Sequence, residues 1–382
     1  MSKEKVLHII TVSFVINHFF CKQFLYLNKK SGNEYHLGCS PSFYFSEFSN
    51  KLGYIPFDVE ITRTISPVKD LKAIVKIYKY IKKNKIDKVV GHTPKGGMVA
   101  MIAAFFANVP TRIYFRHGII YETSNGFKRF LLKNIERLTG YFATKIVCVS
   151  NSVKMISEID KLNKSNKNII LGLGTCNGID TELRFNPSKK DLKKMNNLKN
   201  KFRIAADEKV VGYVGRLVKD KGIDDLIKAW GIVKEKFPSS KLLLVGPIEK
   251  RDSISDYSKK QILIDPSIVF TDFVVDTSSY FLLMDVFVLP TYREGFPTVA
   301  LEASSMKLPV IITKATGCTE SIIENKTGLF ISNEPNDIAN KILIYLNDPI
   351  KAELDGKRGR KFVQQNFEQT LIWDLISDKL KI

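Results

Sequence analysis

Short apolar runs and longer amphipathic stretches alternate along this chain with a steady rhythm. In the first half the runs Val6 to Ile10, Lys88 to Gly91, Arg112 to Phe115 and Lys145 to Val149 have the length and β-branched content of buried strands. Apolar positions recur at helical spacing over Val68 to Lys83, Gly96 to Ala107 and Gly126 to Phe142. This alternation predicts a doubly wound parallel sheet, in which ligands collect at the carboxyl ends of the strands. The rhythm resumes with a strand at Val210 to Val214, a helix at Ile223 to Lys236 and strands at Leu242 to Val245 and Val269 to Phe270. A helix at Ser278 to Met284, a strand at Val286 to Leu289, a helix at Thr298 to Met306 and a strand at Val310 to Ile312 follow. Between the two series, Pro187 to Lys201 is polar, basic and poor in apolar residues, as an exposed inter-domain region is. The expected class is therefore α/β, with one Rossmann-like domain over 1–182 and a second over 183–366. Leu371, Trp373, Leu375 and Ile376 give Phe367 to Ile382 the spacing of a terminal helix.

Composition narrows the setting. With 382 residues, 44% of them hydrophobic, each domain has enough apolar material for a core. The net charge of +20 attracts anionic partners, whether nucleic acid, anionic lipid or an anionic substrate, and is equally the plain result of a lysine-rich composition. No nucleic-acid recognition motif and no clustered aromatic-basic repeat is present, so no nucleic-acid partner is expected. Five scattered cysteines without a C-x-x-C pair argue against a disulfide framework or a zinc site and fit a reducing cytoplasm. The apolar run near the start is too short for a signal peptide, and Met98 to Val109 is too short for a membrane span. Any membrane contact is expected at the surface.

The densest chemistry lies in Pro290 to Glu302. Pro297 suits a first helical turn, so Glu294 falls on a loop and Glu302 inside a helix, with seven residues between them. Backbone N–H groups around Phe296, Pro297 and Thr298 would then face the strand end and form an anion site beside Gly295. Upstream, Gly215 and Arg216 follow a strand and Lys221 and Gly222 open a helix, placing a bidentate cation and a point charge where a diphosphate would sit. Phe273, after another strand, has two readings, a wall for a nucleotide base or core packing. In the first half, Lys95, Gly96 and Gly97 either bind an anion at a helix start or make a plain strand-helix turn. Arg116, His117 and Glu122 follow the next strand.

The paired glutamates, with Gly215-Arg216 and Lys221-Gly222 upstream, resemble the retaining glycosyltransferases of family four, which have the GT-B fold of two Rossmann-like domains facing each other across a cleft. His117-Gly118 resembles the His-Gly that these enzymes hold beside the transferred sugar, and Arg116 to Thr123 resembles the branch that builds bacterial capsule, O-antigen and related surface glycans. The resemblance covers nearly the whole chain. It implies a nucleotide-sugar donor, most simply a UDP-hexose or UDP-N-acetylhexosamine, and a polyprenyl-linked glycan acceptor at the inner face of the cell membrane. It implies that Arg216 and Lys221 neutralise the departing diphosphate in place of a metal ion, and that no cofactor is needed. Glu302 would accept from ribose hydroxyls and Glu294 from the donor sugar, while Lys95, Gly96, Arg116 and Glu122 lie on the acceptor side. The terminal helix would cross back to the first domain. Thr11 to His18 departs from the Gly-rich first loop of many members. Lys128, Arg129, Lys133 and Arg137, interleaved with Phe127 and Phe130, form either a solvated basic face or a contact with anionic lipid. Two other classes share parts of this picture: a GT-B epimerase or phosphorylase, and a basic nucleic-acid-binding protein.

Overall fold

The computed structural model describes residues 3–13, 16–64, 66–189, 191–250 and 252–382, and only the backbone of 17, 18, 43 and 44. Phe14 and Val15 of the unusual first loop thus lie outside the described residues. The chain divides into two compact units, Met1–Gly178 with Gln369–Ile382, and Ile179–Glu368.

Among the described residues, the strands of the first unit are β1 (Lys5–Ile9), β2 (Glu34–Cys39), β3 (Ile55–Asp58), β4 (Lys88–His92), β5 (Thr111–Arg116), β6 (Lys145–Cys148) and β7 (Asn168–Ile169). They pair in parallel in the order β3-β2-β1-β4-β5-β6-β7. Its helices are α1 (Ile16–Phe19), α2 (Gln23–Ser31), α3 (Phe43–Leu52), α4 (Pro67–Asn84), α5 (Pro94–Phe106), α6 (Gly126–Phe142) and α7 (Asn151–Ile159). Sequence order reverses direction between β1 and β4, which makes the loops after these strands the place where a ligand fits. The helix that starts there, α5, opens with Pro94 at its first turn and with the Thr93 side chain accepting from the Gly96 N–H. It is buried on nearly every side, so its sequence is apolar all round.

The second unit holds α8 (Leu192–Lys201), β8 (Lys209–Val214), α9 (Ile223–Lys236), β9 (Ser240–Val245), α10 (Asp256–Ile264), β10 (Ile268–Phe270), β11 (Val286–Leu289), α11 (Thr298–Ser305), β12 (Val310–Thr313), β13 (Gly328–Ile331), α12 (Pro335–Asn347) and α13 (Pro349–Phe367). Its strands pair in parallel as β10-β9-β8-β11-β12-β13. The reversal here falls between β8 and β11, the two strands that carry Arg216 and Glu294 on their following loops.

A final helix, α14 (Gln369–Leu380), packs Ile372, Trp373, Ile376 and Leu380 into the core of the first unit. Trp373 Nε1 donates to Asn177 Oδ1 (2.8 Å), and Asp374 accepts from Tyr26 and pairs with Lys30. The chain leaves the first unit after Gly178. The Ile179 N–H donates to Phe367 O (2.8 Å), which ties the outgoing strand of chain to the end of α13.

Two expectations change. The polar stretch ending at Lys201 contains α8, capped by the Asp191 carboxylate on the N–H groups of Lys193 and Lys194. Met195, Leu198 and Phe202 pack a sparse stripe against the core, too thin a signal to stand out among lysines and asparagines. The helix expected over Ser278 to Met284 is instead a single 3-10 turn, Phe281–Leu283.

Candidate active site

In the second unit, the loops after β8 and β11 are packed so closely that side chains are excluded at fixed points. Gly222 has φ +68°, and a Cβ there would lie 2.0 Å from the Pro290 carbonyl oxygen; Gly317 has φ +82°, and its Cβ would lie 2.4 Å from Gly295 O. These contacts bring Lys221, at the end of the 3-10 turn Lys219–Lys221, onto the loop that carries Glu294. Lys221 Nζ lies 2.5 Å from Glu294 Oε1 and also donates to Arg293 O (3.3 Å) and Thr291 Oγ1 (3.4 Å). The Glu294 N–H donates to Thr316 O (3.0 Å), so the carboxylate stands on a loop held from two sides. Both charged groups are mostly buried, which raises the strength of their attraction over that of a surface pair.

Arg216, next to Gly215, is 47% exposed and reaches Glu249 at 2.8 Å. Its backbone carbonyl accepts from the Tyr213 hydroxyl (2.9 Å), which holds the turn after β8. Glu302, one turn into α11, is buried. Burial pushes its carboxyl up to about 7, against the lowering influence of Arg184 and with a smaller raising contribution from Asp276. The Thr298 N–H turns back onto Phe296 O (2.9 Å), and the Phe296 ring packs toward Phe367. The amide of Thr298 is therefore engaged where it was expected to stand open, because the chain tightens before α11 begins. Phe273, three residues past β10, is 70% exposed, which removes the core-packing alternative for its ring.

In the first unit His117 follows β5. Its Nε2 lies 3.1 Å from His92 Nδ1, and Phe19 stacks on its ring with centroids 4.4 Å apart and planes 3° from parallel. Lys95 is paired with Asp70, and the Gly96 N–H donates to Thr93 Oγ1 at 3.4 Å. Glu122 sits in the turn before α6, its carbonyl near Arg129 (3.4 Å). Arg116 needs correction as an acceptor ligand. It is completely buried, with Nε 3.0 Å from Glu136 Oε2 and Nη1 bonded to Asn163 Oδ1 (2.8 Å) and to the Ser157 hydroxyl. Alternation along β5 turns this side chain under the sheet, so it braces α6 and α7 against β5.

The basic face of α6 is also largely committed inward. Lys133 pairs with Asp160 (2.6 Å), Arg137 donates to Asp160 O (3.1 Å) and Arg129 to Tyr121 O (3.1 Å). Phe127 and Phe130, by contrast, are exposed. Among the described residues, no group of three or more His, Cys, Asp or Glu could hold a metal ion, and no helix is long and apolar enough to cross a membrane.

The sequence did not single out His8, Phe19, Asp220, Glu249 or Thr291. Asp220 pairs with Arg293 at 3.0 Å and so joins the two loops a second time. A polar residue inside an apolar strand run was the available signal for His8.

Two parallel sheets of this order, seven- and six-stranded, with cations and carboxylates meeting at the switch point of the six-stranded one, fit the paired Rossmann-like domains of the GT-B fold. Residues 194–362 match the family described as Glycosyl transferases group 1, and residues 5–150 match Glycosyl transferase 4-like. The chain is 35% identical over 376 residues to the capsular polysaccharide biosynthesis glycosyltransferase CapM of Staphylococcus aureus, covering 98% of this chain and 96% of that one. It is 30% identical over 327 residues to an Escherichia coli UDP-Gal:alpha-D-GlcNAc-diphosphoundecaprenol alpha-1,3-galactosyltransferase, covering 83% and 81%. The protein belongs to the family-four glycosyltransferases. Among solved structures, a Rickettsia africae glycosyltransferase superposes with a TM-score of 0.82 at 20% identity, over 100% of this chain and 98% of that one. Anabaena HepE in complex with UDP-glucose gives 0.81 at 18% identity, over 99% of each.

Proposed function

We propose that this glycosyltransferase moves a hexose or N-acetylhexosamine from a UDP-sugar to a polyprenyl-diphosphate-linked glycan, with retention of anomeric configuration and without a metal ion. The observation that carries the proposal is the Lys221–Glu294 contact at the switch point, with Arg216 exposed on the same β8 loop. One cation and one carboxylate in direct contact suit the junction between a diphosphate and its sugar. CapM and the E. coli galactosyltransferase, named for capsule synthesis and for a diphosphoundecaprenol acceptor, support the surface-glycan setting.

In this reading residues 183–366 hold the donor, with 1–182 and the terminal helix serving the acceptor. Gly215, Arg216, Lys221 and the backbone of Gly295, Phe296 and Pro297 surround the diphosphate, Phe273 offers a face to the uracil, Glu302 takes the ribose hydroxyls and Glu294 those of the sugar. The bond from the anomeric carbon to the diphosphate breaks, and its electron pair goes to the phosphate oxygen. Fixed cations act most strongly on that charge, since it grows as the bond breaks. The acceptor oxygen forms the new bond on the same face, and its proton passes to the departing phosphate. Lys95, Gly96 and Glu122 remain candidates for the acceptor side, where His117 lies beside the transferred sugar. Phe127, Phe130 and Lys128 are the part of α6 offered to an anionic membrane surface on the cytoplasmic side.

Glu302 supplies the test of donor placement. A carboxylate accepts hydroxyl protons and a neutral carboxyl does so poorly, so the binding-competent form is the anion. With its carboxyl pushed up to about 7, Glu302 is protonated below that pH and ionised above it. UDP-sugar affinity should therefore fall roughly tenfold per pH unit below 7, as the competent fraction shrinks. A UDP-sugar is the right probe because its diphosphate has no terminal phosphate that titrates in this range. Calorimetric titration of a UDP-sugar panel from pH 6 to 8 should show this slope in the parent and a flat profile in Glu302→Gln. The same slope in both proteins would remove Glu302 from the donor site.

A further inference from the structure

His8 in β1, His92 at the end of β4 and His117 just past β5 lie on three neighbouring strands of the first sheet and meet end to end. His8 Nδ1 lies 3.1 Å from His92 Nε2, and His92 Nδ1 lies 3.1 Å from His117 Nε2. The ring centroids are 5.3 and 5.4 Å apart, far longer than the nitrogen contacts, so the rings touch edge to edge through their nitrogens. Each contact joins two ring nitrogens and so needs one N–H and one lone pair. The donors therefore all point one way along the chain, either from each Nδ1 toward His117 or from each Nε2 toward His8.

The buried end of the chain decides which. His8 Nε2 is buried without a hydrogen-bond partner. An orphaned buried N–H is rarer and costlier than an acceptor left with an idle lone pair. The proton of His8 accordingly belongs on Nδ1, where it is donated to His92 Nε2. His92 then carries its own proton on Nδ1 and donates it to His117 Nε2, which leaves the proton of His117 on Nδ1. Free histidine in water favours the opposite tautomer. Phe20, Phe24, Tyr35 and Phe115 surround His8 and His92. Burial keeps both rings neutral, pushing His8 down to about 3 and His92 well below the ordinary histidine range.

We propose that His8 and His92 are positioning residues that fix His117 in the Nδ1-protonated tautomer, so that His117 meets the transferred sugar as a hydrogen-bond donor and not as a base. The first half of this inference rests on geometry and on the burial of His8 and His92, and the second rests on the reading that puts His117 beside the sugar. It accounts for two strand-borne histidines that are buried behind His117. It also leaves deprotonation of the acceptor hydroxyl to the departing phosphate, because His117 has no lone pair on Nδ1 to receive that proton. The face-to-face Phe19 ring fixes the plane in which the N–H points.

Long-range 1H–15N correlation on histidine-labelled protein reads the tautomer of each ring without substrate. We expect Nδ1-protonated His8, His92 and His117 in the parent. In His92→Phe, which fills the space but cannot donate, His117 should lose that single tautomer. Its kcat should drop roughly tenfold, one hydrogen bond at about 1.4 kcal/mol, with the KM for the UDP-sugar nearly unchanged. His92→Asn places an amide N–H near the former Nδ1 and should restore both tautomer and rate. A parent His117 protonated on Nε2 overturns the proposal even if no variant folds, as does an unaltered His117 tautomer in His92→Phe. Unimpaired transfer by His117→Ala would instead sink the placement of His117 at the sugar, while the parent spectrum still decides the relay.

Discussion

Lys221→Ala is expected to lower kcat/KM for sugar transfer by about 10²- to 10³-fold, the range seen when a preorganised charge partner of a developing anion is removed. The loss has two sources. In the proposed mechanism the departing diphosphate loses a fixed cation, and Glu294, mostly buried and 2.5 Å away, loses the charge that balances it. Glu294→Gln keeps the shape and removes only the carboxylate charge, so roughly a tenfold fall is expected. Because the two side chains touch, their effects should not add, and the double variant should be little worse than Lys221→Ala alone. Lys221→Arg is not a rescue, since a planar guanidinium does not fit a contact shaped for a compact ammonium. Steady-state rates for the parent and these four variants decide the matter. Parent-like turnover in Lys221→Ala would remove this ion pair from the chemistry.

The second large effect concerns stability. Arg116 and Glu136 form an ion pair with almost no solvent contact, completed by the Tyr114 hydroxyl at 3.0 Å from Glu136 and by Asn163 and Ser157 on the guanidinium. Arg116→Met leaves Glu136 buried without its countercharge, which should destabilise the first unit by about 3–5 kcal/mol. Arg116→Met with Glu136→Leu should recover most of that loss, because an apolar pair of similar volume avoids the desolvation cost of both charges. The chain has two tryptophans, Trp373 in the core of the first unit and Trp230 in that of the second. Urea unfolding followed by Trp373 fluorescence in a Trp230→Phe background therefore reports on the first unit alone. An unchanged midpoint for the single variant would mean that this buried pair does not brace the sheet.

These two cases mark what the sequence shows and what it hides. The parallel sheets were legible because buried strands such as Val286–Leu289 and Val210–Val214 are continuous apolar runs separated by helices of the right period. β2 and β3 were not, since β3 offers four residues of which only Phe57 is buried. The meeting of Lys221 with Glu294, and the place of Arg216 on the loop after β8, were legible because these residues lie close to strand ends, where chain order alone places them on one edge of a sheet. Arg116 misled for the same reason. A residue at a strand end can point along the sheet edge or beneath it, and that choice depends on register with β6, which spacing does not reveal. The histidine chain was hidden more deeply, because it is built from residues 84 and 25 positions apart on separate strands.

The measurement that bears most directly on the central claim is UDP release in EDTA, with and without a polyprenyl-diphosphate-linked glycan, over a panel of UDP-sugars. Arg216 and Lys221 in the role of the neutralising charge predict rapid UDP formation from at least one donor, only when the acceptor is present, at a rate that added magnesium or manganese does not change. The product should carry the new sugar with the anomeric configuration of its donor, read by NMR of the isolated glycan. UDP formed equally well without acceptor would point to transfer of the sugar to water, a UDP-sugar changed only in its sugar with no free UDP would point to epimerisation, and activity abolished by EDTA and restored by metal would contradict the assignment of the diphosphate's charge to these two side chains.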